Sequence, residues 1–368
     1  MTQEEKRMDK GYGRNLPELL RNGETPETWK ARREEIRSLL EENMYGRMPR
    51  EAATVTMKDL EESDGYAGKA LIGRGTLACR FADTRFEIPV SFAFPKKCLP
   101  APVFVVINFR AEVPDTYLPA EEILDGGFGF LRIYYKDIVN DNYAGDFSDG
   151  LGRAYYGGRA PQGNEWGKIG MWAYAMQRAL DYLETRPEAD SRHLMAIGHS
   201  RLGKTALWAG ATDERIYATF INDSGAGGAA IMRGKQGEHV EHFVKSGMWD
   251  WFCGNYRAYA GREDEMPFDA HFALSLIAPR LVCVGSAEED LWADPESECL
   301  ACRAASGAWT LLGREGLAMP ERGAEADEAF LDGCVGYHKR SGTHFLSRTD
   351  WLRYMEFARR HILSERNS

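Results

Sequence analysis

The spacing of apolar residues changes along the chain. Between about residues 53 and 94, short runs alternate apolar and polar positions, as in Phe86–Phe94. A period of two is typical of strands with one buried face, so this region predicts antiparallel strands at the edge of a sheet. From Val103–Ile107 onward, the apolar runs become continuous and are separated by helical stretches. This change predicts a parallel sheet that is covered on both faces.

Two helices have clear signals in the sequence. Thr25 followed by Pro26 is typical of a helix start, and this helix is predicted to run to about Met44. Within residues 168–184, apolar residues recur every three or four positions and define one helical face: Ile169, Trp172, Met176, Leu180 and Leu183. A helical run is predicted over 205–211 and a last helix over about 350–361. Three buried strands are also predicted: Leu194–Ile197, Ala218–Ile221 and Leu281–Val284.

The composition is compatible with one large folded domain. The 368 residues are 43% hydrophobic and 11% aromatic, which is enough for a sizeable core. No Pro/Ser-rich linker, repeat or low-complexity segment interrupts the chain. We therefore predict a single α/β domain over residues 1–368, with an N-terminal helical extension over 1–50 and a catalytic core over 51–368.

Charge and apolar content argue against two classes of partner. The formal net charge of −10 disfavours nucleic acid and anionic membrane surfaces. The chain has no apolar run of about 18 residues, and its first residues lack the apolar segment of a secretory signal. We expect a cytoplasmic protein, or a secreted or periplasmic one if an export segment has been removed. The seven scattered cysteines predict free buried thiols in a reducing compartment.

The segment over residues 198–204 carries the strongest chemical signal. Ser200 lies between the apolar strand ending at Ile197 and the small-residue helix, with Gly198 before it and Gly203 after it. A strand that turns sharply into a helix exposes a serine hydroxyl and directs the first free N–H groups of the helix at the reacting atom. The spacing differs from the common G-x-S-x-G pattern, because Leu202 stands where the second glycine is expected. Ser200 is therefore the candidate nucleophile.

Candidate partners for Ser200 lie further along the chain, because a serine nucleophile requires a histidine base and a carboxylate that orients it. Among the eight histidines, His344 lies in a glycine-containing loop before the last helix. Two carboxylates compete, since Asp223 and Asp290 follow successive predicted strands. The sequence leaves open whether Asp290, Asp223 or both orient the histidine. The order serine, acid, histidine predicts an α/β-hydrolase fold, a doubly wound, mostly parallel sheet with helices on both faces and antiparallel N-terminal edge strands.

Several segments resemble the glucuronoyl esterases of carbohydrate esterase family 15. Ser-Arg-Leu-Gly-Lys at 200–204 matches the family signature G-[CH]-S-R-x-G-K. In fungal members, a disulfide joins the residue before the serine to one just beyond the histidine, but here those positions hold His199 and Leu346. Further matches follow in family order over about residues 100–360: Asn164–Gly167, Asn222–Ala230, Trp251–Tyr256, Pro267–His271, Ala287–Pro295 and Gly342–His344.

The resemblance implies a serine esterase that cleaves esters of glucuronic or 4-O-methyl-glucuronic acid and needs no metal or organic cofactor. It implies that His344 is the catalytic base and that the Arg201 guanidinium binds the oxyanion, beside a backbone N–H supplied by the tight turn. It also implies sugar contacts from Lys204, Glu238 and Trp292. Lys204 lies one helical turn beyond Ser200 on the same face. We expect a monomer whose partner is a glucuronic-acid-containing carbohydrate ester.

Two other functions remain open from the sequence. An esterase of different specificity, such as a carbohydrate acetyl esterase, would use the same nucleophile and base. A catalytically silent sugar-binding protein would share the fold. The other motifs are weaker as functional signals. Cys299–Cys302 has no second cysteine pair, residues 238–242 lack the H-E-x-x-H order, and His271 is most simply a hydrogen-bonded structural residue.

Overall fold

The computed structural model describes residues 14–367, and within this range ten strands form one sheet. Their order across the sheet is β1-β2-β3-β5-β4-β6-β7-β8-β10-β9. The strands are β1 (Thr54–Gly65), β2 (Ala70–Phe81), β3 (Thr84–Pro95), β4 (Ala101–Asn108), β5 (Gly129–Tyr134), β6 (Ala189–His199), β7 (Ile216–Asn222), β8 (Leu281–Ala287), β9 (Glu328–Phe330) and β10 (Val335–Arg340).

Nine α-helices occur in the described range. They are α1 (Pro26–Asn43), α2 (Ala120–Asp125), α3 (Gly150–Tyr156), α4 (Lys168–Leu183), α5 (Arg201–Thr212), α6 (Val240–Lys245), α7 (Ala270–Ser275), α8 (Pro295–Leu311) and α9 (Arg348–Asn367). Short 3₁₀ turns lie between α6 and α7, so the connection between these helices is largely irregular.

The centre of the sheet is parallel and its edges are antiparallel. Each neighbouring pair from β5 through β4, β6, β7 and β8 to β10 runs parallel. At one edge, β1, β2, β3 and β5 pair antiparallel, and at the other β9 pairs antiparallel with β10. This confirms the predicted parallel core and the antiparallel N-terminal edge strands.

Adjacent residues of β7 reveal helices on both faces of the sheet. A Cβ atom added to Gly210 of α5 would lie 2.0 Å from Oγ1 of Thr219. The ring of Phe220, the next residue of β7, lies 5.0 Å from the ring of Tyr354 in α9. Because successive strand residues point to opposite faces, α5 and α9 cover opposite sides of the sheet. The predicted α/β-hydrolase architecture is confirmed.

Helix α1 begins where the sequence predicts. The Thr25 side chain accepts a hydrogen bond from the backbone N–H of Thr28, and the Thr28 side chain accepts one from the backbone N–H of Thr25. Arg33 of α1 donates to the backbone carbonyl of Leu276, which joins the helix to the core. Residues 1–13, the start of the predicted extension, lie outside the described residues, as does Ser368.

Three details of the secondary structure prediction were wrong or incomplete. Strands β5, β9 and β10 were not predicted, and α9 runs from Arg348 to Asn367 rather than over 350–361. The sequence predicted one buried face for α4, but the helix is buried on all sides: every residue except Asp181 is buried. Even Lys168 of α4 is enclosed, paired with the equally buried Asp250 at 2.6 Å.

The sequence also predicted free buried cysteines and no membrane-spanning segment. All seven cysteines are free thiols, of which six are buried and Cys98 is exposed. No helix between residues 14 and 367 combines the length and apolar composition that crossing a bilayer requires.

Candidate active site

Ser200 lies at a tight turn between β6 and α5. Its backbone has φ 58° and ψ −128°, a conformation that non-glycine residues rarely adopt, and its N–H donates to the carbonyl of Asn222 at 2.8 Å. A Cβ atom at Gly198 would lie 2.0 Å from the carbonyl oxygen of Leu202, so the turn needs glycine there. The local sequence therefore folds into the strand–serine–helix arrangement of a hydrolase nucleophile.

His344 lies in the loop between β10 and α9, and its Nδ1–H donates to Oδ2 of Asp290 at 2.6 Å. The Asp290 side chain is 3% exposed, and its Oδ1 also accepts from the backbone N–H of Ala293. Burial raises the pKa of Asp290, but the hydrogen bond and charge of His344 outweigh burial, so the pKa lies below its usual value. With Nδ1 bonded to a carboxylate, Nε2 of His344 is free to accept a proton.

Asp223 follows β7 directly and contacts the backbone around His344 instead of its ring. One carboxylate oxygen accepts from the N–H of Ala287 at 2.6 Å, and the other accepts from the N–H of Phe345 at 3.4 Å. Burial and the neighbouring carboxylates, Glu298 first among them, raise the pKa of Asp223 well above its usual value, although Arg340 opposes this. The structure thus gives the two candidate aspartates different contacts.

A buried ionic cluster holds the loop that carries His344. Arg340, the last residue of β10, donates to the carbonyls of Ser341, Thr343 and Phe345. Its Nε donates to Oδ2 of Asp350 in α9 at 2.7 Å. Because both ends of the loop are tied to the same guanidinium, the loop backbone has little freedom.

His199, the residue before Ser200, packs directly against His344. The two imidazole rings are 4.4 Å apart, and Nδ1 of His199 is 2.7 Å from Oδ1 of Asn222. Burial, with a further contribution from His344, lowers the pKa of His199 to about 3, so this ring is neutral at neutral pH. The contact packs the His344 imidazole against the residue that precedes the candidate nucleophile.

Arg201 begins α5 and is enclosed by an acid and aromatic rings. Its Nη1 donates to Oδ2 of Asp141 at 2.5 Å and to the Tyr143 hydroxyl at 2.7 Å. The guanidinium lies 4.4 Å from the centre of the Trp251 ring, within cation–π distance. Burial lowers the pKa of Arg201, but Asp141 and Tyr143 outweigh burial and raise the pKa overall.

The three predicted sugar-contacting residues lie on adjoining segments. Nζ of Lys204 donates to the carbonyl of Ser224 at 2.7 Å and is 3.2 Å from Oε2 of Glu238. The backbone N–H of Glu238 donates to the carbonyl of Trp292 at 3.0 Å. The Trp292 side chain is 49% exposed, and the His242 ring meets it edge-on at 4.9 Å. Lys204 and Glu238 therefore form a buried pair beneath an exposed tryptophan.

Among residues 14–367, one group of side chains has the chemistry and spacing of metal ligands. It consists of Asp223, Asp290 and His344, whose ligating atoms lie within 4.8 Å of one another. These are also the groups that proton transfer from a serine requires, a carboxylate on Nδ1 and a free Nε2. His271 is buried, and its Nε2 lies 3.0 Å from the carbonyl oxygen of Pro17, which is the kind of hydrogen bond predicted for it.

Sequence reasoning missed Asp141, Tyr143 and His199. Asp141 is 60 residues from its partner Arg201, and no motif marks the loop that carries it. Trp251 did lie in a segment that resembles the glucuronoyl esterases, but nothing in the sequence linked it to Arg201. A signal for His199 was present, since it occupies a cysteine position of the fungal proteins.

The chain is similar to known proteins over most of its length. A family model described as "Glucuronyl esterase, fungi" matches residues 81–313. Carbohydrate esterase MZ0003, from an unknown prokaryotic organism, is 31% identical, with 90% of this chain and 84% of that protein covered. The solved glucuronoyl esterase of Solibacter usitatus is 34% identical with a TM-score of 0.83, over 94% of this chain and 97% of that one.

A fungal relative is similar over a smaller share of its length. The 4-O-methyl-glucuronoyl methylesterase of Hypocrea jecorina is 30% identical over 83% of this chain, and the chain spans 63% of that protein. The family match covers more than half of the chain, and the prokaryotic and Solibacter proteins are matched over nearly their whole lengths. The chain therefore belongs to the glucuronoyl esterases, carbohydrate esterase family 15, a family of carboxylic ester hydrolases with the α/β-hydrolase fold.

Proposed function

We propose that this chain is a serine esterase that hydrolyses the ester between the carboxyl group of glucuronic or 4-O-methyl-glucuronic acid and an alcohol. The observation that carries the proposal is the 2.6 Å contact between Nδ1 of His344 and Oδ2 of Asp290, in an imidazole that packs against His199, the residue before Ser200 and its strained turn. Membership of the glucuronoyl esterases supports the choice of substrate.

Ser200 is the nucleophile in the proposed reaction. Nε2 of His344 takes the proton of the Ser200 hydroxyl as its oxygen attacks the ester carbonyl. Asp290 keeps the other imidazole proton on Nδ1 and stabilises the imidazolium that forms. The imidazolium then gives its proton to the departing alcohol, and a uronoyl ester on Ser200 remains. Water activated by the same imidazole hydrolyses this intermediate.

Arg201 stabilises the oxyanion in two ways. Its backbone N–H opens α5 and joins the first turn of the helix, where N–H groups lack partners within the helix. Its guanidinium adds charge-assisted donors near the same point. Donors placed at a developing oxyanion typically contribute about 3 kcal/mol each to lowering the barrier.

Lys204, Glu238 and Trp292 bind the uronate ring in this proposal. The buried Lys204–Glu238 pair offers a donor and an acceptor to neighbouring ring hydroxyls, whose hydrogen bonds to charged groups are the stronger kind. The exposed face of Trp292 packs on the apolar face of the sugar. Because a neutral acetyl group has no ring to fill this space, the pocket favours uronoyl over acetyl esters.

Substrate comparison tests the specificity. We expect the methyl ester of 4-O-methyl-glucuronic acid to be hydrolysed with a kcat/KM at least about tenfold above that of acetylated xylo-oligosaccharides, since one pocket contact is worth this much. Equal or better activity on the acetylated substrate would instead identify a carbohydrate acetyl esterase.

Replacement of the nucleophile tests the mechanism. Ser200→Ala is expected to lower kcat by about 10⁴-fold or more while the thermal unfolding midpoint stays within a few degrees of wild type. A fluorophosphonate probe should label the wild-type protein and not the variant. Substantial residual turnover in Ser200→Ala would exclude the acyl-enzyme route, and absence of labelling in the wild type would indicate a silent sugar-binding protein.

A further inference from the structure

The hydrogen bonds of Arg201 divide its guanidinium into an occupied and an unoccupied side. Nη1 carries two hydrogens, and its two acceptors are Oδ2 of Asp141 and the hydroxyl of Tyr143. Nε is buried and has no hydrogen-bond partner among the described residues. Within residues 14–367, Nη2 likewise makes no hydrogen bond. Nη1 is therefore saturated, and Nη2 retains its donors for a ligand.

Asp141 is held in one position by its own partners. Its side chain is fully buried, and Oδ1 accepts from the indole Nε1–H of Trp251 at 2.9 Å while Oδ2 accepts from Arg201. The same Trp251 ring packs against the guanidinium. A buried carboxylate with both oxygens engaged strongly resists rotation, since any turn leaves a buried charge unpaired. Asp141 thus fixes the angle of Arg201.

Tyr143 reaches Arg201 from a strained backbone. Its φ of 59° lies in the left-handed region, which is unfavourable for an aromatic residue, and its side chain is 44% exposed. Close packing maintains this conformation, because a Cβ atom on Gly247 would lie 2.1 Å from the carbonyl oxygen of Tyr143. Such strain persists only where the surrounding structure enforces it, and it is concentrated at functional sites.

The geometry points to Asp141 and Tyr143 as positioning residues that occupy Nη1 of Arg201 and so turn its Nη2 donors toward the oxyanion of the ester transition state. The inference rests on the proposed function, in which the Arg201 guanidinium is an oxyanion donor. Asp141 supplies the charge and the orientation, and the Tyr143 hydroxyl takes the remaining Nη1 hydrogen. Neither residue exchanges a proton or forms a bond in the reaction.

Double-mutant cycles on the full chain test this inference with the methyl ester of glucuronic acid. Tyr143→Phe is expected to lower kcat about three- to tenfold, and Asp141→Asn about 30- to 100-fold, with KM changed less than twofold, because the lost interaction matters only in the transition state. In an Arg201→Met background, each substitution should change kcat less than twofold, since nothing remains for it to orient. Tyr155→Phe, at a similarly exposed tyrosine, is the matched control and should keep wild-type kcat.

Two results would overturn the inference, and they differ from each other. If Tyr143→Phe lowers kcat by the same factor with and without Arg201, Tyr143 does not act through the guanidinium. If Arg201→Met alone keeps wild-type kcat, the proposed oxyanion donor is wrong and the inference fails with it. Because Tyr143 is half-exposed, its cycle can be measured even if Asp141→Asn prevents folding.

Discussion

At the scale of single residues, the two aspartates near His344 differ in the groups that their carboxylate oxygens contact. Asp290 meets the imidazole itself, and His344 lowers its pKa, so it is ionised at neutral pH. Asp223 meets backbone N–H groups of the neighbouring segments, and burial raises its pKa. Sequence reasoning found both residues but could not choose between them, because strand order gives the position of an acid and not the direction of its side chain.

A pair of matched substitutions distinguishes these two contacts. Asp290→Asn should lower kcat about a thousandfold or more, because an amide at this point favours the wrong imidazole tautomer. Asp223→Asn should lower kcat less than about tenfold, since it loses backbone support for the loop and the ion pair with Arg340 but no contact with the imidazole. Steady-state kinetics on the methyl ester at pH 7 measure both variants. A larger loss for Asp223→Asn would reverse the assignment of the orienting acid.

At the scale of elements, buried polar residues explain why one strand of the parallel part of the sheet, β10, escaped prediction. All six residues of β10 are buried, yet three of them are His338, Lys339 and Arg340, so the strand lacks a continuous apolar run. Nε2 of His338 and Nε of Arg340 both find a hydrogen-bond partner in Asp350, which lies in the next helix. Apolar periodicity predicts strands such as β4 and β8 well, but it cannot detect a strand whose polar side chains find partners in another element.

Asp350 should make stability depend on pH. Burial raises its pKa, but the hydrogen bond and charge of His338, with help from Arg340 and Ser347, bring the pKa down to about 2. The folded pKa is thus below the unfolded value of about 3.9, so the stabilisation is complete above about pH 4 and is lost as pH falls toward 2. The difference corresponds to roughly 2 kcal/mol.

Urea unfolding at several pH values measures this contribution. Asp350→Asn should lower the free energy of unfolding at pH 7 by about 2 kcal/mol or more and should weaken its decline between pH 5 and 2. Asp332→Asn is the control, because Asp332 is an exposed residue whose ion pair with Arg360 contributes little. Identical pH profiles for wild type and Asp350→Asn would contradict the assignment.

At the scale of the whole molecule, the candidate site is assembled at the carboxyl-terminal ends of the parallel strands. Ser200, Asp223 and Asp290 follow β6, β7 and β8, and His344 follows β10. Chain order alone predicted that these four residues lie together, because parallel strands have their carboxyl ends on the same side of the sheet. It could not predict that the loop of Asp141, which follows β5, also reaches the site, since no periodicity or motif relates that loop to Arg201.

The net charge of −10 should affect polymeric substrates more than small ones. A glucuronoxylan that retains free carboxylates is repelled at low ionic strength, and salt screens this repulsion as the Debye length falls from about 30 Å at 0.01 M to below 8 Å above 0.15 M. We expect kcat/KM on such a partly esterified polymer to rise at least about twofold between 0.01 and 0.3 M NaCl. The neutral methyl ester of the monosaccharide should show no change, and an equal response of both substrates would contradict the effect.

The backbone angles at residue 200 also restrict which side chains could replace the serine that attacks in the proposed reaction. With φ at 58°, the position tolerates an unbranched Cβ poorly and a branched one worse. Cysteine keeps the shape of serine, so this scaffold can present a thiol in the same place. Threonine adds a methyl group where the turn has least room, and a secondary alcohol would therefore require a different bend between β6 and α5.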